Sequence, residues 1–191
     1  MPNWCNNTVS VAHQDPEKLR ALVDAINEGK FCHHVIPTPQ ALTDTVAGFP
    51  GEDQREAHEA QMKRNLELYG AKDWYDFQTS RWGTKWDVDA YETVEFDPAG
   101  VTFGFDSAWS PPIGVYEALV EQGFSVTAFY YEPGMCFAGK WSDEDGDEYY
   151  ELSGMTSEQV REEIPQDLDE CMAISENMAM WEEENEEEEN E

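Results

Sequence analysis

The chain has 191 residues, within the usual size of one domain, and its hydrophobic fraction of 40% is sufficient for a sizeable core. Its 42 acidic and 11 basic residues give a formal net charge of -31, which disfavours direct binding of nucleic acid through a basic surface. We find neither an apolar run of about 18 residues, as a membrane span requires, nor the basic and apolar regions of a signal peptide. These features predict a soluble, cytoplasmic protein.

Negative charge is concentrated towards the C-terminus. Residues 1–142 contain 21 acidic and 10 basic side chains, a net charge of -11, whereas residues 143–191 contain 21 acidic and one basic, a net charge of -20. Residues 182–191 are eight Glu and two Asn, and this composition predicts disorder because it offers no apolar side chain to bury. The tail is interpreted either as a solubilising segment or as an electrostatic arm that docks on a basic surface.

The N-terminal residues predict a strand followed by a helix. Residues 7–13 alternate between apolar and polar side chains, as in a half-buried strand. Asp15 is a suitable N-cap, Pro16 suits the first helical turn, and Gly29 is a suitable C-terminal stop. Residues 31–39 are then predicted to be extended.

The centre of the chain predicts a helical insertion and a second set of strands. Residues 40–84 form the insertion. Residues 86–96 and 101–106 alternate as strands around a turn, residues 113–120 carry the apolar stripe of a helix, and residues 124–131 alternate again. Without the insertion the order is βαββαβ, which predicts an α+β, ferredoxin-like antiparallel sheet with its helices on one face.

Further elements follow this predicted domain. An added hairpin is expected around Asp145 and Gly146, which favour a two-residue turn, and a helix is expected over residues 166–181. We therefore predict three parts, which are a ferredoxin-like domain (1–142), an acidic hairpin and helical extension (143–181), and a disordered polyglutamate tail (182–191).

Three short segments occur together in an unusual combination. They are Met1-Pro2-Asn3-Trp4-Cys5-x-Asn7, Trp82-Gly83-Thr84-Lys85-Trp86-Asp87 and Ala108-Trp109-Ser110-Pro111-Pro112. In this order, over about residues 1–140, the chain resembles the YubB ferredoxin-like domain family, whose members are carried mainly by phages and plasmids. The resemblance implies the same fold and a bacterial host cell. It implies no activity and no catalytic residues.

The second of these segments is also a candidate binding site. Trp82 and Trp86 could form an aromatic pocket, with Lys85 and Asp87 as its charged groups, and Trp109 is a further candidate. Alternatively, the tryptophans anchor a loop to the core. Trp109 then packs as a hydrophobic staple beside a helix capped by Ser110.

The leading functional hypothesis is a non-enzymatic accessory protein that binds and modulates a basic, nucleic-acid-binding host protein by imitating nucleic acid. Carboxylates spaced along a surface can occupy phosphate sites, and charge steers such an association. The acidic residues proposed for this surface are Asp143, Glu144, Asp145, Asp147, Glu148, Glu162, Glu163, Asp167, Asp169, Glu170, Glu182, Glu183 and Glu184. The alternatives are a protein-interaction module using the Trp82/Trp86 face and a small-ligand binder or enzyme.

Other chemistry is disfavoured. Cys32-His33-His34 is a fragment of a metal site at most, and residues 143–147 do not match the spacing of a calcium loop. Phe103-Gly104-Phe105 resembles the base-stacking core of RNA-recognition modules, but no basic residue precedes it, and two phenylalanines packed under the added hairpin are favoured. We find no catalytic motif. Asp87 and Asp89, on one face of a predicted strand, could act as paired carboxylates but are more simply a solvated face. No cofactor is predicted.

Overall fold

The computed structural model describes residues 3–189. Its sheet is antiparallel, with the strand order β2-β1-β3-β4-β5. The strands are β1 (Trp4–Ala12), β2 (Val101–Ala108), β3 (Ser125–Glu132), β4 (Phe137–Ser142) and β5 (Gly146–Glu151). The helices are α1 (Pro16–Asn27), α2 (Phe31–Val35), α3 (Gln40–Thr43), α4 (Arg55–Tyr69), α5 (Trp74–Arg81), α6 (Ile113–Glu121), α7 (Ser157–Glu163), α8 (Gln166–Met172) and α9 (Ile174–Glu189), with a 3-10 turn at Glu52–Gln54. The chain is therefore α+β, as predicted.

The main core lies between one face of the sheet and helices α1, α2 and α6. Alternation along β1 places Val9 and Val11 on this face, where both are buried. Helix α1 begins as predicted, because the Oδ1 atom of Asp15 accepts a hydrogen bond of 3.0 Å from the Glu17 amide. Gly29 follows the helix at a φ of +66°, a conformation that favours glycine.

A second core covers the other face of the sheet. Tyr131 of β3 and Ala138 of β4 pack there with Val160 of α7, Leu168 of α8 and Ile174 of α9. Helices α1, α2 and α6 of the predicted domain share one face of the sheet, whereas α7, α8 and α9 of the predicted extension cover the other face, where β3 and β4 also present apolar side chains. The boundary predicted at residue 142 falls inside the β4–β5 hairpin.

The strand predicted at residues 86–96 is replaced by an irregular segment along the free edge of β2. One isolated bridge joins Ala90 to Phe105. The backbone of Val94 is bound instead by a side chain, because Asn27 donates to its carbonyl at 3.1 Å and accepts from its amide at 2.8 Å. Hydrogen bonds from the Asn27 side chain thus take the place of backbone pairing at Val94. The segment occupies the position of the missing edge strand, which makes the arrangement compatible with a ferredoxin-like fold.

Three C-terminal predictions also need correction. The helix predicted over 166–181 is broken at Ala173, whose φ is +50°. The hairpin turn has three residues between Ser142 and Gly146, and Gly146 takes a φ of +76°. Residues 182–189, predicted to be disordered, continue helix α9, because glutamate is a good helix former and Glu182 is bound to helix α7. Residues 190–191 of the predicted tail lie outside the described residues.

Within residues 3–189, no helix has the length and apolar character needed to cross a membrane.

Candidate functional site

The structure gathers three of the five predicted binding residues on one surface. Lys85, Trp86 and Trp109 lie beside Trp4 and Tyr75, and we call these five residues the aromatic patch. The Nζ atom of Lys85 lies 4.3 Å from the ring centroid of Trp86, 5.3 Å from that of Trp109 and 5.6 Å from that of Tyr75. The rings of Trp4 and Trp86 are 6.2 Å apart. The four aromatic residues are between 36% and 46% exposed.

The segment 82–86 is fixed to the end of β2 by polar contacts. The hydroxyl of Thr84 accepts from the Ala108 amide at 3.0 Å and donates to its carbonyl at 3.1 Å. The hydroxyl of Ser110 donates to the Gly83 carbonyl at 2.5 Å. Ser110 therefore does not cap helix α6 as predicted, because its hydroxyl is bound to this loop, and the capping position is taken by Pro112.

Trp109 is held in a left-handed backbone conformation, with a φ of +69°. Such a conformation is uncommon for a side chain of this size and costs about 1–2 kcal/mol. Its amide donates to the Asn3 carbonyl at 2.9 Å, which ties the end of β2 to the start of β1. Trp109 remains partly exposed and is not the predicted hydrophobic staple. Strain of this kind is concentrated at functional sites in proteins.

Lys85 is held by aromatic rings and has no carboxylate within ion-pair distance among the described residues. A cation over the face of a tryptophan gains about 0.5–1 kcal/mol at an exposed site. In a chain with 42 acidic residues, this places a positive charge at the centre of an apolar patch. The patch can therefore pack against apolar side chains and donate hydrogen bonds to a partner.

Trp82 is part of the core and does not belong to the patch. It is 1% exposed, packs in the main core, and donates from its indole nitrogen to the Ile36 carbonyl at 2.9 Å. This geometry supports the anchoring interpretation of Trp82 over the binding interpretation. Trp82 holds the loop in place while Trp86 faces outwards.

Asp87 is used to start helix α2. Its carboxylate accepts hydrogen bonds from the amides of Cys32 at 2.8 Å and His33 at 2.9 Å. Burial raises the pKa of Asp87, and the backbone donors of His33, Cys32 and Val88 oppose that shift. The prediction that residues 31–39 are extended is wrong because this carboxylate, distant in sequence, satisfies amides at the start of the helix.

Replacing Asp87 by alanine should lower the free energy of unfolding by about 1–2 kcal/mol, because two helix-start amides lose their acceptor. Urea denaturation measures this loss, and hydrogen exchange should become faster at the amides of Cys32 and His33. Asp89 is the matched control, since it is exposed and we find no hydrogen bond to its side chain within residues 3–189. Equal stability of the Asp87→Ala and Asp89→Ala variants would contradict the capping role.

The predicted acidic surface divides into two groups. In the first group, carboxylates are bound within the fold: Glu182 accepts from Ser157, Asp169 accepts from Ser175, and Asp147 accepts from the hydroxyl of Tyr130. The others in this group are Asp143, Asp145, Glu148, Asp167 and Glu170, which contact Ser125, Ser142, Tyr150, Lys140 and Gln166.

The second group is open to solvent. It consists of Glu144, Glu162, Glu163, Glu183 and Glu184, all exposed. In the described part of the chain, no hydrogen bond or ion pair involves the side chains of these five. They are the members of the predicted surface that remain available to a partner.

The paired carboxylates predicted at Asp87 and Asp89 do not form a site. The segment is not a strand, Asp87 is committed to helix α2, and Asp89 is exposed. Within residues 3–189, no group of three or more potential ligands among His, Cys, Asp and Glu is placed to hold a metal ion. Cys32 is fully buried, and burial followed by the charge of Asp87 raises the pKa of its thiol.

Phe103 and Phe105 do not form an RNA-stacking platform. Both are buried, and both rings pack against Phe31 of α2, at centroid distances of 5.3 and 5.9 Å. The expectation that they lie under the added hairpin is wrong, because the pleat of β2 directs them to the face covered by helices α1, α2 and α6.

The sequence analysis did not identify Trp4 and Tyr75 as site residues. Trp4 lies in one of the three segments used for the family resemblance, yet its position opposite Ala108 follows only from the β1–β2 register. Tyr75 lies in the first turn of α5, and no pattern in the sequence indicates that this turn faces the start of the sheet.

No family model matches the chain, and no curated protein matches it. One solved structure, described as protein api92 from Yersinia pseudotuberculosis with the family model DUF1281, is similar over 81% of this chain and 99% of its own length, with 10% identity and a TM-score of 0.38. A similarity of this size carries no argument about function. The resemblance to the YubB family stays a prediction.

Proposed function

We propose that this protein is a non-enzymatic protein-interaction module and that the aromatic patch is its docking surface. The observation that carries the proposal is the convergence of Tyr75, Trp86 and Trp109 on Lys85 at the protein surface, with Trp4 beside Trp86. Tryptophan and tyrosine are over-represented among the residues that contribute most to binding energy at protein interfaces. Isolated exposed apolar side chains need no explanation, whereas a contiguous group marks an interaction site.

The partner we propose is a basic protein of the host cell, of the kind that binds nucleic acid. The chain's net charge of -31 would attract such a surface and accelerate its capture. The family resemblance supports a phage or plasmid setting in a bacterial cytoplasm. We further infer that the domain is a ferredoxin-like variant in which segment 86–96 replaces an edge strand.

Nucleic-acid mimicry is a second candidate, and one observation favours it. Three ion pairs join described residues, at Lys30–Glu28, Arg55–Glu59 and Lys140–Asp167, so most carboxylates are uncompensated. In this case the exposed residues Glu144, Glu162, Glu163, Glu183 and Glu184 would occupy phosphate sites on the partner. The aromatic patch would then contribute little.

The full chain should capture a basic protein from bacterial lysate, and the Trp86→Ala/Trp109→Ala variant should lose that protein. Truncating a tryptophan at the centre of an interface costs about 2 kcal/mol or more, which is about 30-fold in the dissociation constant. The captured protein is identified by mass spectrometry. Its dissociation constant is then measured by calorimetry for each variant.

Phe49→Ala is the matched control, because Phe49 is an exposed aromatic residue outside the patch. Replacing the five open glutamates by glutamine tests mimicry, since those changes leave the patch intact. If the glutamine variant loses binding and the tryptophan variant retains it, mimicry is correct and the patch proposal is wrong. Repeating the measurement at about 0.5 M salt separates the contributions, because screening weakens exposed charges and leaves apolar packing.

A further inference from the structure

A cavity of about 670 Å³ lies on the opposite side of the sheet from the main core. Its walls come from helices α8 and α9, from strands β1 and β3, from the turn between β3 and β4, and from the loop after β5. Its lining includes Tyr131, Met155, Met172, Met178, Trp181 and Asn6. Cavities of roughly 300–1,000 Å³ with mainly apolar walls and few polar groups are typical of small-molecule sites.

The outer wall of the cavity is held in place from both sides. Helix α9 supplies Met178 and Trp181. Before them, Asp169 accepts hydrogen bonds from the Ser175 amide at 2.7 Å and from its hydroxyl at 2.6 Å. After them, Glu182 accepts from the Ser157 amide at 2.8 Å and from its hydroxyl at 2.6 Å. These contacts fix the helix across the cavity, so the site is formed without a ligand.

The polar end of the cavity is suited to a cation. Asn6 lines the cavity and donates from its Nδ2 atom to Asp106 at 2.6 Å, which leaves its Oδ1 atom as an acceptor. Tyr91 donates to the same carboxylate at 2.6 Å. No Lys, Arg or His is among the described lining residues. The Asp106 carboxylate, which forms no ion pair within residues 3–189, therefore lies behind Asn6.

The apolar walls also suit a cation. Tyr131 and Trp181 supply aromatic rings, which are compatible with an organic cation, and three methionines provide polarizable, adaptable surface. An anionic ligand such as a fatty acid would find no Lys, Arg or His in the described lining and would be repelled by the Asp106 carboxylate behind Asn6. The volume of the cavity, its apolar walls and the nearby negative charge therefore favour an apolar ligand that carries a positive charge.

We propose that this cavity binds a small apolar molecule that carries an ammonium group, with the cation beside Asn6 and the apolar body between Met172, Met178 and Trp181. This site is separate from the aromatic patch, and it does not rest on the function proposed above. The ligand class follows from the chemistry of the walls alone.

The test uses the trimethylammonium, uncharged and propionate forms of diphenylhexatriene, which share one fluorophore and differ in charge. The full chain should bind the trimethylammonium form most tightly and the propionate form least. Replacing Met178 by glutamine should weaken binding of the trimethylammonium form about fivefold, because apolar wall is lost at unchanged net charge. The Trp181→Gln variant, at a 67% exposed position that does not support the core, should weaken it similarly.

Met180→Gln is the matched control, since Met180 lies on the same helix, is exposed, and does not line the cavity. Its binding should equal that of the unmodified chain. If the net negative charge alone attracted the trimethylammonium form, the Met178→Gln, Trp181→Gln and Met180→Gln variants would bind it with equal affinity. That result would overturn the proposal. Equal affinity for the trimethylammonium and propionate forms would also overturn it. If Met178→Gln loses its circular dichroism signal, the Trp181→Gln result decides.

Discussion

Replacing Trp82 by alanine is expected to lower the free energy of unfolding by about 3–5 kcal/mol, the usual cost of removing a large aromatic side chain from a core. Trp82 is 1% exposed and is among the largest fully buried side chains. Its removal also leaves the Ile36 carbonyl without the indole donor at 2.9 Å. Because domains of this size have about 5–15 kcal/mol in total, the variant should lose a large fraction of its stability.

Chemical denaturation of Trp82→Ala beside Trp86→Ala tests this prediction with a matched pair. The two tryptophans lie in the same loop, but Trp86 is 39% exposed, so its replacement should cost only about 1 kcal/mol, mainly the cation–π contact with Lys85. The Trp86 variant should instead lose partner binding. A Trp82→Phe variant separates packing from the hydrogen bond, because it retains most of the ring and removes the donor. Similar losses of stability for the two alanine variants would refute the assignment of Trp82 to the core.

Replacing Gly114 by alanine is expected to destabilise the protein by about 1–3 kcal/mol, the range found for overpacked sites. Gly114 lies in the first turn of α6, where a glycine-to-alanine change would ordinarily stabilise a helix by about 1 kcal/mol. Here a Cβ atom would lie 2.0 Å from the carbonyl oxygen of Arg81. The obstacle is backbone, so it cannot move aside as a side chain would. The sign of the effect is therefore reversed.

Denaturant midpoints of Gly114→Ala and Glu117→Ala provide the comparison. Glu117 is exposed on the same helix, so its replacement should be neutral or slightly stabilising. The Gly114 variant should also alter the aromatic patch, because the Gly114 amide donates to the Trp82 carbonyl at 3.2 Å, next to the loop that carries Lys85 and Trp86. An unchanged or higher midpoint for Gly114→Ala would show that α6 can shift away from the end of α5 at little cost.

Trp82 and Gly114 both position the loop that carries the proposed binding surface. Trp82 holds the loop from inside, and Gly114 allows helix α6 to approach the backbone of that loop. The strained backbone of Trp109 is tolerated because the Asn3 carbonyl and the paired strands fix its position. The surface side chains of the patch therefore depend on buried neighbours that never contact a partner.

Features encoded by neighbouring residues could be predicted from the sequence. Helix α1 is an example, because its cap at Asp15, its proline and Gly29 all lie within a few residues of the helix. The alternation of β1 and β3 is another, since the pleat alone decides which side chains face the core. The sequence also indicated the loop that carries Lys85 and Trp86. It could not separate a buried tryptophan from an exposed one, because both occur in the same short segment.

The remaining features were decided by contacts between residues far apart in the chain. Helix α2 exists because Asp87 caps it, and segment 86–96 fails to form a strand where Asn27 binds the backbone of Val94. Trp4 joins the patch through the pairing of β1 with β2. Local patterns report the preferences of a segment, whereas such long-range hydrogen bonds select among them. The sequence by itself therefore determined the α+β class and the negative charge, and the tertiary structure decided which side chains meet at the surface.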